Sequence, residues 1–322
     1  MRILQFASMQ EPEIMARLIR LTGRGPATVV LDLEDGLWDV TDETDTSALK
    51  AAGRANLITL GRTHPELFAR QPIGVRMNRS SGPDAALDLD ALAEVSRFVE
   101  FECVVPTKVE TGAEVEHVSG SLRSRRVAFR SLVPIVETRR GLANVDGILE
   151  AARHLGIEWL AYGHFDFALD SNWWPFPEPS EPRYWERIEP LIRRWESAGM
   201  GYVHPPYFQT HDEAGLASII GRLRQASTRE FGIITVGPRQ TRMADRLSNG
   251  RRVTDDVRAP MPPVSVGPPN EAPADLARHI VQTFLATRRH PGGFALDTRT
   301  GEFISPHVYL AADAYLRRVG SD

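Results

Sequence analysis

The chain is expected to fold as a (β/α)8 barrel, and three observations lead there. Short apolar, β-branched runs alternate with longer amphipathic stretches, which is the pattern of βα units around a parallel sheet rather than of hairpins. Eight such runs fall within roughly 240 residues, the expected size of a closed barrel, although an open doubly wound sheet can be assembled from the same units. The chain has 322 residues, 42% of them hydrophobic, enough to bury the core of one large domain or two modest ones.

In chain order, the runs that read as strands are Ile3 to Ala7, Thr28 to Leu33, Ile73 to Met77, Cys103 to Thr107, Leu132 to Val136, Trp159 to Gly163, Gly201 to His204 and Gly232 to Val236. Helical patterns separate them at Glu11 to Leu21, Thr46 to Leu60, Asp84 to Val99, Leu142 to Leu155, Tyr184 to Ala198 and Asp212 to Ala226. Most carry apolar residues three and four apart, so that one face is apolar. The barrel is thus expected over residues 1–257. A proline-dense linker over 258–273 follows, whose composition excludes helix. The remaining 274–322 form a C-terminal extension, with helices at about Ala274 to Arg288 and at Pro306 to Val319 around a segment with turn chemistry. That extension is too small for a core of its own and is expected to pack on the barrel or on a neighbouring subunit. A second irregular stretch, Ser171 to Pro182, follows the sixth strand and reads either as a lid or as a rigid loop whose tryptophans cover the barrel.

Composition narrows the function. The 38 Lys+Arg against 42 Asp+Glu give a net charge of -4, with arginines in scattered pairs such as Arg125-Arg126, so no nucleic-acid partner is expected. The N-terminus lacks a secretory apolar region and no run reaches membrane-spanning length, so a cytoplasmic protein without a membrane partner is expected. The single cysteine, Cys103, excludes an internal disulfide framework and a cysteine-based zinc cluster.

Barrel enzymes place their working groups at the C-terminal ends of the strands. Here those ends carry Glu34-Asp35-Gly36, Arg76-Met77-Asn78, Lys108-Val109-Glu110, Glu137-Thr138, Gly163-His164-Phe165-Asp166 and His204. Singly, a carboxylate after a strand is commonly a helix N-cap. Charged residues ending five or six consecutive apolar strands are hard to obtain from packing alone. Carboxylates with few imidazoles favour a hard cation, Mg2+ or alternatively Mn2+, over Zn2+. Such a site suits a 2-oxo acid held by its carboxylate and keto oxygens, with an arginine beside it to stabilise an enolate.

At these residues the sequence resembles the citrate lyase β-subunit-like branch of the HpcH/HpaI aldolase superfamily, over nearly the whole chain. Five motifs carry the likeness: Val30-Leu31-Asp32-Leu33-Glu34-Asp35-Gly36, Val75-Arg76-Met77-Asn78, the run Val105 to Glu110, the run Ile135 to Val145, and Tyr162-Gly163-His164-Phe165-Asp166-Phe167. The resemblance implies a trimeric or hexameric barrel lyase with an extra C-terminal segment. It also implies that Glu137 and Asp166 bind magnesium and that Arg76 contacts the developing enolate. Glu34 and Asp35 would hold metal waters, and Lys108 and Glu110 would belong to a polar network beneath the site. The expected assignment is therefore Glu137 and Asp166 as metal ligands, with Arg76, Glu34, Asp35 and Lys108 as catalytic groups. Arg76, Asn78, Thr138, Gly163 and His164 are expected to bind substrate, with His164 and His204 as acid-base candidates.

Three departures from the family pattern bear on the substrate. The first strand leads into Ser8-Met9-Gln10 rather than a Pro-Gly turn, and Phe165 replaces a carboxylate before Asp166. Where the lyases of CoA thioesters carry an aspartate in their tail, this chain has Ser305, with Glu302 nearby. The expected reaction is the making or breaking of a carbon-carbon bond between a 2-oxo acid (glyoxylate, pyruvate or oxaloacetate type) and an enolisable acid or acyl thioester. A Schiff-base aldolase using Lys108 and a catalytically impaired barrel acting as a binding subunit are the alternatives.

Overall fold

The computed structural model describes residues 1–22, 27–248, 273–287, 293–297 and 302–320. Eight parallel strands occur at the expected places: Arg2–Ser8, Thr28–Asp32, Ile73–Met77, Phe101–Pro106, a fifth in two pieces, Trp159–Tyr162, Gly201–His204 and Gly232–Val236. The first strand pairs with both the second and the last, so the sheet runs unbroken from the fifth strand round to the sixth by way of the first.

The fifth strand divides into Phe129–Leu132 and Ile135–Val136, where a single strand from Leu132 to Val136 was expected. Pro134 is the reason, because it has no N–H to give to a ladder. The first piece pairs with the fourth strand and the second with the sixth. Between them Val133 donates to the Val104 carbonyl at 2.9 Å, and the Pro134 carbonyl accepts from Ala161 at 2.9 Å. The interrupted strand thus bonds on both sides and closes the barrel.

Successive strand residues face opposite ways. Leu4, Val30, Cys103, Val105, Val133, Ile135, Ala161, Val203 and Ile234 fill the barrel interior as one cluster. Their neighbours Ile3, Val29, Leu31, Val75 and Ile233 pack outward against the helices. Cys103 is wholly buried in the interior, and burial pushes its thiol up to about 12, which removes it from any nucleophilic chemistry at neutral pH. Gly74 makes room for it, since a Cβ there would lie 2.5 Å from the Cys103 sulfur.

The helices between the strands begin with recognisable caps. Asp42 caps Glu43–Thr63, and Thr111 with Glu114 forms a capping box on Gly112–Ser124. The stretch expected as one helix from Leu142 to Leu155 is two, Arg139–Ala143 and Val145–His154, joined at Asn144.

The linker expected over 258–273 lies outside the described residues except for Pro273, which opens the helix Pro273–Thr287. Ala295–Asp297 and Glu302–Ile304 pair as a short antiparallel ladder, and the last helix is Pro306–Val319. This extension lies over the barrel mouth. Phe294 packs on Phe208 at 4.9 Å between ring centroids, Trp174 on Tyr315 at 6.2 Å, and His307 on Trp38 at 5.6 Å. The tryptophans of the loop after the sixth strand are packed: Trp173 and Phe167 share the Arg187 guanidinium, and the Trp174 indole donates to the Pro273 carbonyl. Among the described residues no helix is long and apolar enough to cross a membrane.

Candidate active site

A cavity of about 140 Å3 opens at the C-terminal ends of the strands. Asp32, Asp35, Arg76, Glu137, Asp166 and His307 supply its polar wall, and Phe6, Tyr162, Phe165 and Ile234 are among its apolar lining.

Arg76 leaves the third strand and meets Asp32 from the second in a two-pronged pair, Nε to Oδ1 at 2.7 Å and Nη2 to Oδ2 at 2.5 Å. Its third nitrogen, Nη1, lies 3.1 Å from both Glu34 and Asp35, and the guanidinium rests over the Phe6 ring. Asp32 also accepts from the peptide N–H groups of Glu34 and Gly36, so one carboxylate fixes both the arginine and the acidic turn. Burial alone would lower the basicity of Arg76, but Asp32, Asp35 and Glu34 raise it well above the ordinary value.

Lys108 sits at the end of the fourth strand with φ 51°, a left-handed conformation uncommon for a side-chain-bearing residue. That turn sends its peptide N–H to Glu137 Oε1 at 2.8 Å. Its ammonium meets Glu34, lies 3.0 Å from Asp166 and 3.6 Å from Asp35. Burial disfavours the charged amine, yet the charges of Asp166, Asp35 and Glu34 hold its pKa well above the ordinary lysine value.

The carboxyls divide by environment. Glu34 is pushed up to about 7 by burial and by Asp35 beside it. Glu137 is raised well above the usual range by burial and by Asp166. Burial opposes ionisation of Asp35 and Asp166 too, but Lys108 pulls both down, helped at Asp35 by Arg76 and at both by His307. Five carboxyls, Asp32, Glu34, Asp35, Glu137 and Asp166, thus face two permanent cations, Arg76 and Lys108. A divalent cation would relieve that surplus. Gly163 leaves room for the Glu137 carboxylate: a Cβ there would lie 2.1 Å from Glu137 Oε2, in the space that carboxylate occupies. Glu137, Asp166 and Asp35 offer the oxygen donors that Mg2+ or Mn2+ takes. Among the described residues, Asp35, Asp166 and His307 have ligand atoms within 4.8 Å of one another, and Glu137 lies outside that trio.

The other expected residues are placed as follows. Asn78 is buried and its amide is spent on the Leu33 carbonyl, Asp88 and Lys50, in a network with Arg54 and Asp84 away from the cavity wall. Thr138 caps the helix Arg139–Ala143 by accepting from Gly141. Glu110 pairs with Arg79 and Arg140 rather than with the cavity cations Arg76 and Lys108. His164 borders the cavity, but its Nε2 donates to the Pro177 carbonyl at 2.9 Å and burial pushes its ring down to about 4. His204 is wholly buried between Tyr184 and the Pro205 carbonyl. Ser305 is buried too, and its hydroxyl accepts from Val308 N at 3.3 Å as the N-cap of the last helix. The Glu302 side chain lies outside the described residues.

Two residues at the site carry no sequence assignment: Asp32, quoted only as part of a strand, and His307. His307 reaches the cavity because Ser305 caps the helix and Pro306 opens it, which fixes the direction of its first turn. The Ser-Pro-x-x pattern marks a helix start in the sequence, but nothing there shows which barrel loop that helix covers.

No protein-family model matches the chain, and no curated protein matches it. Among solved structures, it is similar to the citrate lyase β subunit of M. tuberculosis complexed with oxaloacetate and magnesium, at 20% identity over 77% of this chain and 96% of that one, with a TM-score of 0.58. It is similar to Mycobacterium tuberculosis CitE in complex with magnesium, acetoacetate and coenzyme A, at 20% identity over 99% and 98% of the two chains and a TM-score of 0.58. A third likeness is to RipC from Yersinia pestis, at 21% identity over 76% and 94% and a TM-score of 0.54. The chain has the α/β barrel fold of the citrate lyase β-subunit structures, in agreement with the resemblance its motifs carry.

Proposed function

We propose that this protein is a divalent-metal-dependent carbon-carbon lyase or aldolase. It would join or part a 2-oxo acid and an enolisable acid or acyl thioester. The observation that carries the reading is the convergence of Glu137, Asp166, Asp35 and Arg76 on one small cavity at the catalytic end of a barrel. Neighbouring structures with the same fold hold magnesium together with oxaloacetate or acetoacetate, which supports the same chemical class here.

Glu137 and Asp166 would hold Mg2+, or Mn2+, at the cavity floor. The bound cation supplies Lewis acidity toward the carboxylate and keto oxygens of the 2-oxo acid. Arg76, pinned by Asp32 before substrate arrives, presents positive charge where enolate charge develops and needs no reorganisation to do so. Lys108 balances Glu34, Asp35 and Asp166, keeping the acidic rim compatible with an anionic substrate. Phe6, Tyr162 and Ile234 line the wall and limit water. A volume of about 140 Å3 matches a substrate portion as small as pyruvate or glyoxylate. Ser305 caps the last helix, so no carboxylate base stands at that position of the tail.

The same geometry weighs against the imine route, since a lysine paired with three carboxylates stays protonated and is a poor nucleophile. The reading carries with it a cytoplasmic homotrimer or hexamer, whose mass light scattering would measure. The decisive experiment incubates the protein with Mg2+ and a panel of hydroxy acids and their CoA thioesters, and measures 2-oxo acid release. Release that stops in excess chelator and in Glu137→Ala is expected. Full activity under chelation, or oxo-acid binding without turnover of any candidate, would overturn the proposal, the latter in favour of a binding subunit.

A further inference from the structure

The Asp166 carboxylate turns Oδ1 to the Lys108 ammonium at 3.0 Å and Oδ2 to His307 Nε2 at 3.2 Å. Asp35 does the same, with Oδ1 3.6 Å from Lys108 and Oδ2 3.7 Å from His307 Nε2. The two Oδ2 atoms and the imidazole nitrogen thus lie within 4.8 Å of one another, with Arg76 Nη1 donating to Asp35 Oδ2 at 3.1 Å and the lysine on the Oδ1 side of both carboxylates. His307 is only 6% exposed, and its Nε2 has no aligned hydrogen-bond partner despite that proximity. A buried ring nitrogen that meets its carboxylate neighbours out of line is incompletely satisfied, and a ligand between them would complete it.

We propose that His307 is a metal ligand, and that the cation at this barrel mouth is held by one imidazole together with Asp166 and Asp35. This rests on the metal-dependent reading of the site and adds to it the identity of a donor from the tail and a preference among cations. Around an ion with bonds of about 2.1 Å, adjacent ligand atoms stand about 3.0 Å apart in an octahedron and about 3.4 Å apart in a tetrahedron. The distances of 3.2 and 3.7 Å already fall close to those values. Placement of the ring follows from the local sequence: the Ser305 cap and Pro306 set the first helical turn, and the ring edge packs against Trp38.

The donor set decides the selectivity. Carboxylates and water suit Mg2+, whereas an imidazole shifts preference toward first-row transition cations, beginning with Mn2+ and strengthening along the series. Since His307 belongs to the extension, the cation also ties that segment to the barrel.

The full-length protein loaded with Mn2+ alone tests this without any assay of activity. Pulsed electron paramagnetic resonance should show nitrogen coupling from one imidazole, and 15N-histidine labelling should change it. His307→Gln should lose the coupling. Calorimetric titration should give a Mn2+ over Mg2+ affinity ratio that falls about tenfold or more in His307→Gln, with Asp166→Asn weakening both cations. Oxygen sites discriminate modestly by themselves, so the change in ratio is the readout rather than the ratio. Bound Mn2+ without nitrogen coupling in the wild type, or a ratio unmoved by His307→Gln in a variant of unchanged circular dichroism, overturns the assignment of His307 and leaves the carboxylate site standing. Failure of the wild type to bind either cation overturns both.

Discussion

Lys108 donates its peptide N–H to Glu137 Oε1 at 2.8 Å from a backbone turned to φ 51°, so one residue orients an expected metal ligand with its main chain and neutralises three other carboxylates with its side chain. The two roles separate in Lys108→Gln, which keeps the peptide and removes the charge. Losing one partner of a buried ion network exposes the others to unbalanced repulsion and is expected to lower metal-free stability by about 3 kcal/mol. Saturating Mg2+ or Mn2+ should restore part of that, because the cation takes over the missing positive charge. Denaturant unfolding with and without cation measures both, and equal stability of variant and wild type in chelator would sink the argument. Borohydride reduction with pyruvate should trap no adduct on wild-type Lys108.

Gly163 is the position where the smallest change reaches the metal site. Gly163→Ala would put a methyl group where Glu137 Oε2 now lies 2.1 Å away, and the carboxylate must move. Overpacking of this kind destabilises by about 1–3 kcal/mol. Divalent-cation affinity should fall about tenfold or more, roughly 1.4 kcal/mol, by calorimetry. An alanine variant with wild-type cation affinity would show that Glu137 does not hold the ion in its present rotamer.

Arg76 is held by two oxygens of Asp32 and shares its third nitrogen with the acidic turn, a geometry only a guanidinium supplies. Arg76→Lys retains the charge and loses the fork. If the arginine stabilises enolate charge, kcat should fall about 100-fold, near 2.7 kcal/mol, with a smaller change in KM. A rise in KM alone would assign it to ground-state binding instead.

The barrel was legible because its physics is local and repeated. Eight apolar runs, most of them separated by amphipathic stretches, admit few architectures, and the strands lie where the runs lie. Glu34, Asp35, Arg76, Lys108 and Glu137 could be found for the same reason: each ends a strand, and strand ends share one rim. The misplaced details turn on which partners the fold supplies to a residue, and periodicity does not carry that. Pro134 splits the fifth strand, yet the barrel closes because partners on both sides use the carbonyls and N–H groups around it. Asn78 ends its strand as Arg76 nearly does, but Asp88, on the helix that follows, and Lys50, on a helix before the strand, claim its amide. His307 is separated from Asp166 by 141 positions, 307 minus 166, and no periodicity connects a tail helix to the loop it covers.

His204 ends the seventh strand and looked suited to acid-base work, but its surroundings give it a structural role that pH can expose. A carbonyl can only accept, so Nδ1 carries the proton toward Pro205 O at 2.7 Å, and Nε2 accepts from the Tyr184 hydroxyl at 2.9 Å. Trp185 stacks on the ring and Tyr202 meets its edge, with His164 the nearby ionisable group that disfavours its charge. Burial pushes the ring down to about 3, below its ordinary 6.5. The folded state thus binds fewer protons than the unfolded chain between those two values. The neutral ring contributes its full stability above about pH 6.5, and that contribution is lost progressively as pH falls toward 3. His204→Asn keeps a donor for the Pro205 carbonyl and removes the titration. It should be less stable than wild type by about 2 kcal/mol at pH 7, from the lost Tyr184 bond and the smaller ring volume. Below pH 6 the gap should fall by about 1.4 kcal/mol per pH unit, closing near pH 5 and reversing by pH 4, since carboxyl titrations are common to both proteins and cancel in the difference. Denaturant melts of the pair at pH 7, 6, 5 and 4 measure that difference directly, and a gap that stays constant across the series would refute a neutral, buried His204.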